Sequence, residues 1–260
     1  MLKNRSVIVT GSTSGIGLGI ARAFAAQGAN VVLNGFGRAE EIEQIRQEMA
    51  STFGVKVLYD PADMSKPEQV RALARLAIEV FGQVDIIVNN AGVQHVAPIE
   101  SFPDEKWDAI IAINLSSAYH LIKAVLPGMK ARGFGRIINV ASAHGLTASP
   151  FKSAYVAAKH GLIGLSKTVA IEVANDGITS NTICPGYVKT PLVEQQIADQ
   201  AKVHGISPEQ VVRDVMLSHQ ARKAFVQVEE LAALAVFLAS EQAASMTGAA
   251  IAMDGGWTLH

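Results

Sequence analysis

Apolar positions along the chain alternate between two patterns. Short runs rich in Val and Ile have the length and β-branching of strands: "SVIVT" at 6–10, "NVVLNG" at 30–35, "VKVLYDP" at 55–61, "VDIIVNNAG" at 84–92, "RIINVAS" at 136–142, "TSNTICPG" at 179–186 and "AAIAMDGG" at 249–256. Between them lie longer helical segments: 15–28, 39–54, 65–82, a long region from about Pro103 to Arg132, the stretch "SAYVAAKHG" at 153–161, and 229–240. Gly28 and Gly54 are placed to stop their helices, Ser65 is placed as an N-cap and Pro67 stands near a helix start. Gly161 is placed to end or loosen the helix that carries "SAYVAAKHG". The alanines of that stretch keep one face small enough for close packing, with another subunit as the expected neighbour.

Strands alternating with helices of this length indicate βαβ units and a parallel sheet. The continuous apolar run at 84–92 is the kind covered on both faces. The expectation is an α/β fold, a doubly wound parallel sheet of the Rossmann type, forming one domain over 1–260. Residues 190–226 lack a clear rhythm and are long and polar for a connection, so they are expected to form a helical lid over a site.

Composition narrows the function classes. Lys plus Arg total 22 and Asp plus Glu total 23, a net charge of -1, which gives no basic footprint for nucleic acid. Charged residues are 17% and hydrophobic ones 49%, against about 25% charged in an average chain. The spare apolar surface points to an oligomer. Cys184 is the one cysteine and lies in a strand run, as a small core residue suited to a reducing cytosol. The apolar run behind Lys3 and Arg5 is too short for a signal-peptide core, and "LAALAVFLA" from Leu231 is too short for a membrane span. A cytoplasmic protein with no membrane partner is expected.

"VTGSTSGIGLGI" follows the first strand and opens the first helix, with Gly11, Gly15 and Gly17 spaced G-x-x-x-G-x-G. Glycines allow a tight turn and close approach, and the helix N-terminus offers free N–H groups to a pyrophosphate. After the second strand, where a carboxylate would bind an adenosine ribose, the chain reads "NGFGR" at 34–38. Arg38 hints at a 2′-phosphate, Phe36 would fill that space instead, and Asn34-Gly35 is otherwise a simple turn. On "SAYVAAKHG", Tyr155 and Lys159 fall on one helix face, one turn apart. A free Tyr has a pKa of about 10 and is a poor base at neutral pH. A nearby ammonium and a cationic nicotinamide would both favour the phenolate. Ser142, at the C-terminal end of a strand, lies at the edge where such sheets bind ligands, and its hydroxyl can hold a substrate oxygen.

The glycine loop, "NNAG" at 89–92, Asn114, Ser142 and Tyr155 with Lys159 together resemble the short-chain dehydrogenase/reductase family. The resemblance runs from "VTGSTSGIG" through "CPG" at 184–186 to "DGGW" at 254–257. It implies Tyr155 as the base, Lys159 as the group that lowers its pKa and orients the nicotinamide ribose, Ser142 on the substrate oxygen and Asn114 in a proton relay. It implies cofactor contacts from Gly11, Thr13, Gly15, Ile16 and Gly17, from Asp63 and Met64 near the adenine, and from Asn90 and Gly92. Further contacts are implied from Tyr155, Lys159, Pro185, Val188 and Thr190. The runs "NNAGVQHVAPIE", "SAHGL", "KSAYVAAKHG", "PLVEQQI" and "DGGW" are similar to those of members that oxidise a small hydroxy acid. That similarity implies a carboxylate-binding set of Gln94, His144, Lys152 and Gln196, with Trp257 near the substrate. Such members also lack an acid after the second strand and resemble NAD enzymes, which favours Phe36 over Arg38 and NAD as cofactor. A homotetramer without a catalytic metal is implied. The departures are Tyr187, where a Trp is expected, and "SHQARKAF", which keeps Gln220 but changes its neighbours. Two rivals stand beside this reading: an NADPH-linked ketoreductase of acyl thioesters, and a catalytically idle NAD sensor.

Overall fold

β1 (Ser6–Val9), β2 (Asn30–Asn34), β3 (Val57–Asp60), β4 (Ile86–Asn89), β5 (Gly135–Val140), β6 (Ile178–Pro185) and β7 (Ala250–Met253) form a single sheet. A computed structural model describes residues 2–259 apart from 191–192, 195–196, 198–200 and 202–204. Among the described residues the strand order is β3-β2-β1-β4-β5-β6-β7, and every pairing is parallel. The winding reverses between β1 and β4, and the crevice above such a reversal is where this architecture binds ligands.

Strand alternation sends neighbouring side chains to opposite faces. Val7 and Val9 pack with Ile20 and Phe24 of α1 (Gly15–Ala26) and with Leu231 and Leu238. Ile8 packs on the other face with Leu73, Leu121 and Val169. All four residues of β1 and of β4 are therefore buried, and each such aliphatic side chain contributes about 1.5–3 kcal/mol. α2 (Ala39–Phe53) ends on Gly54, and α3 (Pro67–Phe81) starts with Pro67 in its first turn. The N-cap of α3 is Lys66 rather than Ser65, and no side chain caps it. The Ser65 N–H instead donates to Asp63 Oδ1 at 2.8 Å, which places Ser65 in the turn before the helix.

The long helical region divides into α4 (Asp104–Ile111), a π-helical segment over Ala112–Ser116, and α5 (Ser117–Arg132). Asp104–Arg132 is long and apolar enough to cross a membrane by length and composition, with mean hydropathy 1.5. Here its Leu121, Val125 and Met129 are buried against the sheet. α6 (Ser153–Glu172) runs straight through Gly161, so that glycine does not end the helix. Its role is clearance, since a Cβ there would sit 2.9 Å from Leu115 Cδ2 of the π segment. Ala154 and Ala158 are buried on Ile110 of the same chain, whereas Ala157 stays exposed, so of the alanines in this stretch Ala157 is the one left open for a neighbouring subunit. α7 (Val228–Ala239) precedes β7.

Residues 190–226 leave and return at one place, where Val188 bridges Val226. The Lys189 N–H donates to Val226 O at 2.9 Å, and the Val226 N–H to Tyr187 O at 2.9 Å. The described part of the insertion contains a π-helical turn over Val211–Met216 and a small apolar cluster of Val211, Met216 and Leu217 packed against Tyr187 and Phe225.

Candidate active site

The glycine loop is built by close approach. Gly11 has φ 62°, and a Cβ on it would come 2.9 Å from Ala91 Cα. A Cβ on Gly17 would collide with Gly11 O. Asn90 Nδ2 donates to Thr10 O and Gly11 O at 2.9 and 3.0 Å, joining the loops after β1 and β4. Asn34 is more than a turn residue. Its Oδ1 accepts Gly11 N–H at 3.2 Å, and its Nδ2 donates to Asp60 O and Ala62 O at 3.1 and 2.9 Å. The residue at the end of β2 thus ties three loops together, with both of its amide hydrogens already used.

Above this loop opens a cavity of about 480 Å³. Ser14, the N-cap of α1, makes no side-chain cap, so the first-turn N–H groups of α1 have no cap to occupy them, as an anion site requires. Gly11, Thr13, Gly15, Ile16 and Gly17 line the cavity on one side. Phe36, Asp63, Met64, Asn90 and Gly92 line it on the others. Backbone packed too closely for a Cβ, around uncapped N–H groups, fits a dinucleotide pyrophosphate. Phe36 is 69% exposed at the cavity edge, its carbonyl accepting from Thr13 Oγ1 at 2.8 Å. Arg38 does not line the cavity, and its guanidinium pairs with Glu41 at 3.2 Å. A hydrogen bond from the Ser65 backbone holds the Asp63 carboxyl below the usual range.

A second cavity, of about 1030 Å³, adjoins the first through Ile16, Asn90, Gly92, Val93 and Thr190. Ser142, Tyr155 and Lys159 meet in it. Lys159 is buried, donates to Val140 O at 2.9 Å, and lies 5.5 Å from the centroid of the Tyr155 ring. Burial pushes its pKa down to about 8. Burial also raises the Tyr155 phenol, while a hydrogen bond with the Ser142 hydroxyl pulls it back. Among this chain's own groups desolvation therefore wins over the lowering that the Tyr155–Lys159 spacing suggested. Ser142 is a cap as well as a site residue. Its Oγ accepts His144 N–H at 3.1 Å at the start of a short 3₁₀ turn.

Asn114 sits inside the π segment and is buried. Its Nδ2 donates to Val93 O and its Oδ1 accepts Val93 N–H, both at 2.9 Å. One amide hydrogen and the amide oxygen are thus used in fixing the loop after β4. Single π-helical turns inside α-helices are frequent at functional sites. A Cβ on Gly92 would lie 3.5 Å from Asn114 Oδ1 and 3.6 Å from Lys159 Nζ, which places this loop between the two.

At the far side of the cavity Lys152 Nζ lies 3.1 Å from His144 Nε2. The His144 ring meets Tyr155 edge-on at 6.1 Å and Trp257 at 4.7 Å between centroids. Burial, helped by Lys152, pushes the His144 pKa down to about 4. The imidazole is therefore neutral at pH 7. With Nε2 accepting from the ammonium, Nδ1 carries the proton, and this buried Nδ1 has no partner among the described residues. Burial also lowers the Lys152 pKa. Gln94 lines the same cavity, as do Pro185 and Val188, and Thr190 borders both cavities. Gln196 lies outside the described residues.

Trp257 is held by a turn that the sequence pattern marks only as "DGGW". Asp254 accepts Gly256 N–H at 2.9 Å, Thr258 N–H at 2.9 Å and Thr258 Oγ1 at 2.6 Å. Burial works against its charge, but the Thr258 and Gly256 bonds outweigh it and hold the carboxyl below its usual range. Sequence reasoning also missed His95, Val193 and Met216 in the cavity wall. His95 was legible as the neighbour of Gln94, whereas Met216 lay in the stretch without rhythm.

Comparison with known proteins agrees with this geometry. Residues 11–258 match a family model described as enoyl-(acyl carrier protein) reductase. The chain is 58% identical to a D-beta-hydroxybutyrate dehydrogenase of Rhizobium meliloti, over 98% of this chain and 99% of that one. It is 56% identical to a D-beta-hydroxybutyrate dehydrogenase of Cupriavidus necator over the whole of both. Among solved structures, L-sorbose reductase of Gluconobacter frateurii in complex with NADPH and L-sorbose superposes with a TM-score of 0.94. It is 35% identical, over 100% of this chain and 98% of that one.

Proposed function

The chain belongs to the short-chain dehydrogenase/reductase family, and from that premise we propose that it is an NAD-dependent dehydrogenase that reversibly oxidises D-3-hydroxybutyrate to acetoacetate. One observation carries the substrate assignment: an ammonium and a neutral imidazole stand together in the cavity that Ser142 and Tyr155 also line. A secondary alcohol oxidant needs only the second pair. A four-carbon hydroxy acid needs the first pair as well, to receive its carboxylate, with Gln94 and Gln196 adding hydrogen bonds and Trp257 closing the end.

The bound nicotinamide ring would accept the hydride and bring a positive charge beside Tyr155. The rest of the chemistry belongs to the chain. Ser142 Oγ holds the substrate oxygen as charge shifts there. The Tyr155 hydroxyl, as phenolate, takes the proton from that oxygen. Lys159, fixed by Val140 O, supports the phenolate and reaches toward the ribose. Asn114 keeps the Val93 loop in place and offers its backbone to the relay. Gly11, Thr13, Gly15, Ile16 and Gly17 receive the pyrophosphate. Asp63 and Met64 receive the adenine, and Asn90, Gly92, Pro185, Val188 and Thr190 line the nicotinamide side.

NAD is preferred over NADP because Phe36, not Arg38, borders the ribose end of the cavity. A homotetramer is favoured by apolar side chains left open on helices, including Trp107, Tyr119, Ile171 and Phe237, and light scattering of the purified protein tests it. A single buried thiol at Cys184 suits the cytoplasm.

The deciding experiment is steady-state turnover of the D and L forms of 3-hydroxybutyrate with NAD⁺ and NADP⁺. The D form with NAD⁺ is expected to be the best pair. No turnover of the D form with either coenzyme sinks the assignment. Preference for NADPH and a 3-oxoacyl thioester would put the ketoreductase reading in its place.

A further inference from the structure

Phe151 has φ 64°, one of two positive values outside glycine among the described residues, the other being at Asn4. A side chain in this region meets a steric cost, and the conformation persists only where the surroundings fix it. The Phe151 ring is 56% exposed, so its own packing does not account for the conformation. The backbone does. Phe151 O accepts Ala97 N–H at 3.0 Å, which ties the loop carrying Gln94 to the segment entering α6. The next residue, Lys152, is the N-cap of α6 and makes no side-chain cap. Its carbonyl accepts Val156 N–H at 2.9 Å, while its side chain turns back to His144 Nε2 at 3.1 Å.

We propose that Phe151 is a positioning residue for substrate specificity. Its left-handed backbone, locked by the Ala97 hydrogen bond, aims Lys152 at His144 and holds the Gln94 loop beside them. The inference rests on the reading of Lys152 and His144 as the carboxylate site. It makes the ring itself dispensable and tolerance of positive φ essential. Asn tolerates that conformation and a β-branched residue does not.

The test compares Phe151→Asn with Phe151→Val in the full-length enzyme, with the equally β-branched Phe151→Thr replacing the Val variant if that one does not fold. Phe151→Val is expected to raise KM for D-3-hydroxybutyrate about ten-fold, while kcat and NAD⁺ affinity stay within about two-fold. NMR titration of the His144 ring, which needs no substrate, is expected to shift in the same variant as Lys152 leaves it. Phe151→Asn is expected to match wild type in both measurements. Equal effects of the Asn and Val substitutions, whether large or absent, overturn the proposal. If wild type fails to oxidise 3-hydroxybutyrate, the substrate assignment falls, and the NMR comparison still decides whether Phe151 positions Lys152.

Discussion

The Lys159 ammonium donates to the Val140 carbonyl at 2.9 Å, two residues before Ser142 and beneath the Tyr155 ring. The end of β5 therefore supports both halves of the candidate catalytic group: it anchors the ammonium and then presents the serine. The arrangement places the Tyr155 hydroxyl in hydrogen-bond contact with Ser142 and its ring beside a fixed charge. Tyr155→Phe is expected to lower kcat about 10³-fold, in the range for loss of a positioned base. Coenzyme affinity, followed by NADH fluorescence, is expected to hold. Near-normal turnover by the Tyr155→Phe enzyme would remove the base assignment and leave the NAD-sensor reading in contention.

How much of this was legible in the sequence depended on range. The alternation of strands and helices, the glycine loop and the Tyr155–Lys159 face follow from local periodicity and spacing, and the structure has them. Asn114 shows where that stops. Its place in the helix was readable, but the π segment and the paired bonds to Val93 depend on a partner 21 residues away. Asn34 looked like a turn residue because its three partners lie in other loops. Ser65 looked like a cap because cap propensity does not say which residue leaves helical geometry first. Of the alanines on α6, Ala154 and Ala158 pack within the chain and Ala157 stays exposed, because periodicity marks a close-packing face without naming what packs there.

Lys152 separates substrate recognition from chemistry. It touches His144 and not the glycine loop. Lys152→Ala removes a charged hydrogen bond of about 1.5–3 kcal/mol, so KM for D-3-hydroxybutyrate is expected to rise roughly 10- to 100-fold. The coenzyme dissociation constant is expected to stay unchanged. Equal loss of both affinities would take Lys152 out of the carboxylate site.

The low pKa of His144, about 4 against an ordinary 6.5, links the site to acid stability. Between those two values the unfolded chain binds a proton that the folded chain refuses, so stability rises with pH across that window. The favourable contribution is complete above pH 6.5, falls as pH drops toward 4, and changes no further below it. His144→Gln is expected to flatten the acid limb between pH 6.5 and 4, measured by urea midpoints at each pH. An unchanged slope would mean that other groups carry it.

Asn34 sets a trap for coenzyme engineering. A carboxylate at the end of the second strand marks ribose recognition in many dinucleotide enzymes, so Asn34→Asp looks like a way to tighten NAD binding. In this chain the Asn34 amide donates to Asp60 O and Ala62 O while its Oδ1 accepts Gly11 N–H, and the residue is 1% exposed. An Asp here would keep the acceptor, lose both donors and set a buried charge against two carbonyl oxygens. The expected cost is about 3 kcal/mol or more. It should appear as a lower urea midpoint at unchanged m, together with weaker NAD⁺ binding because Gly11 loses its support. A stable Asn34→Asp protein that binds NAD⁺ more tightly would show that the side chain is free to leave its three partners for the ribose.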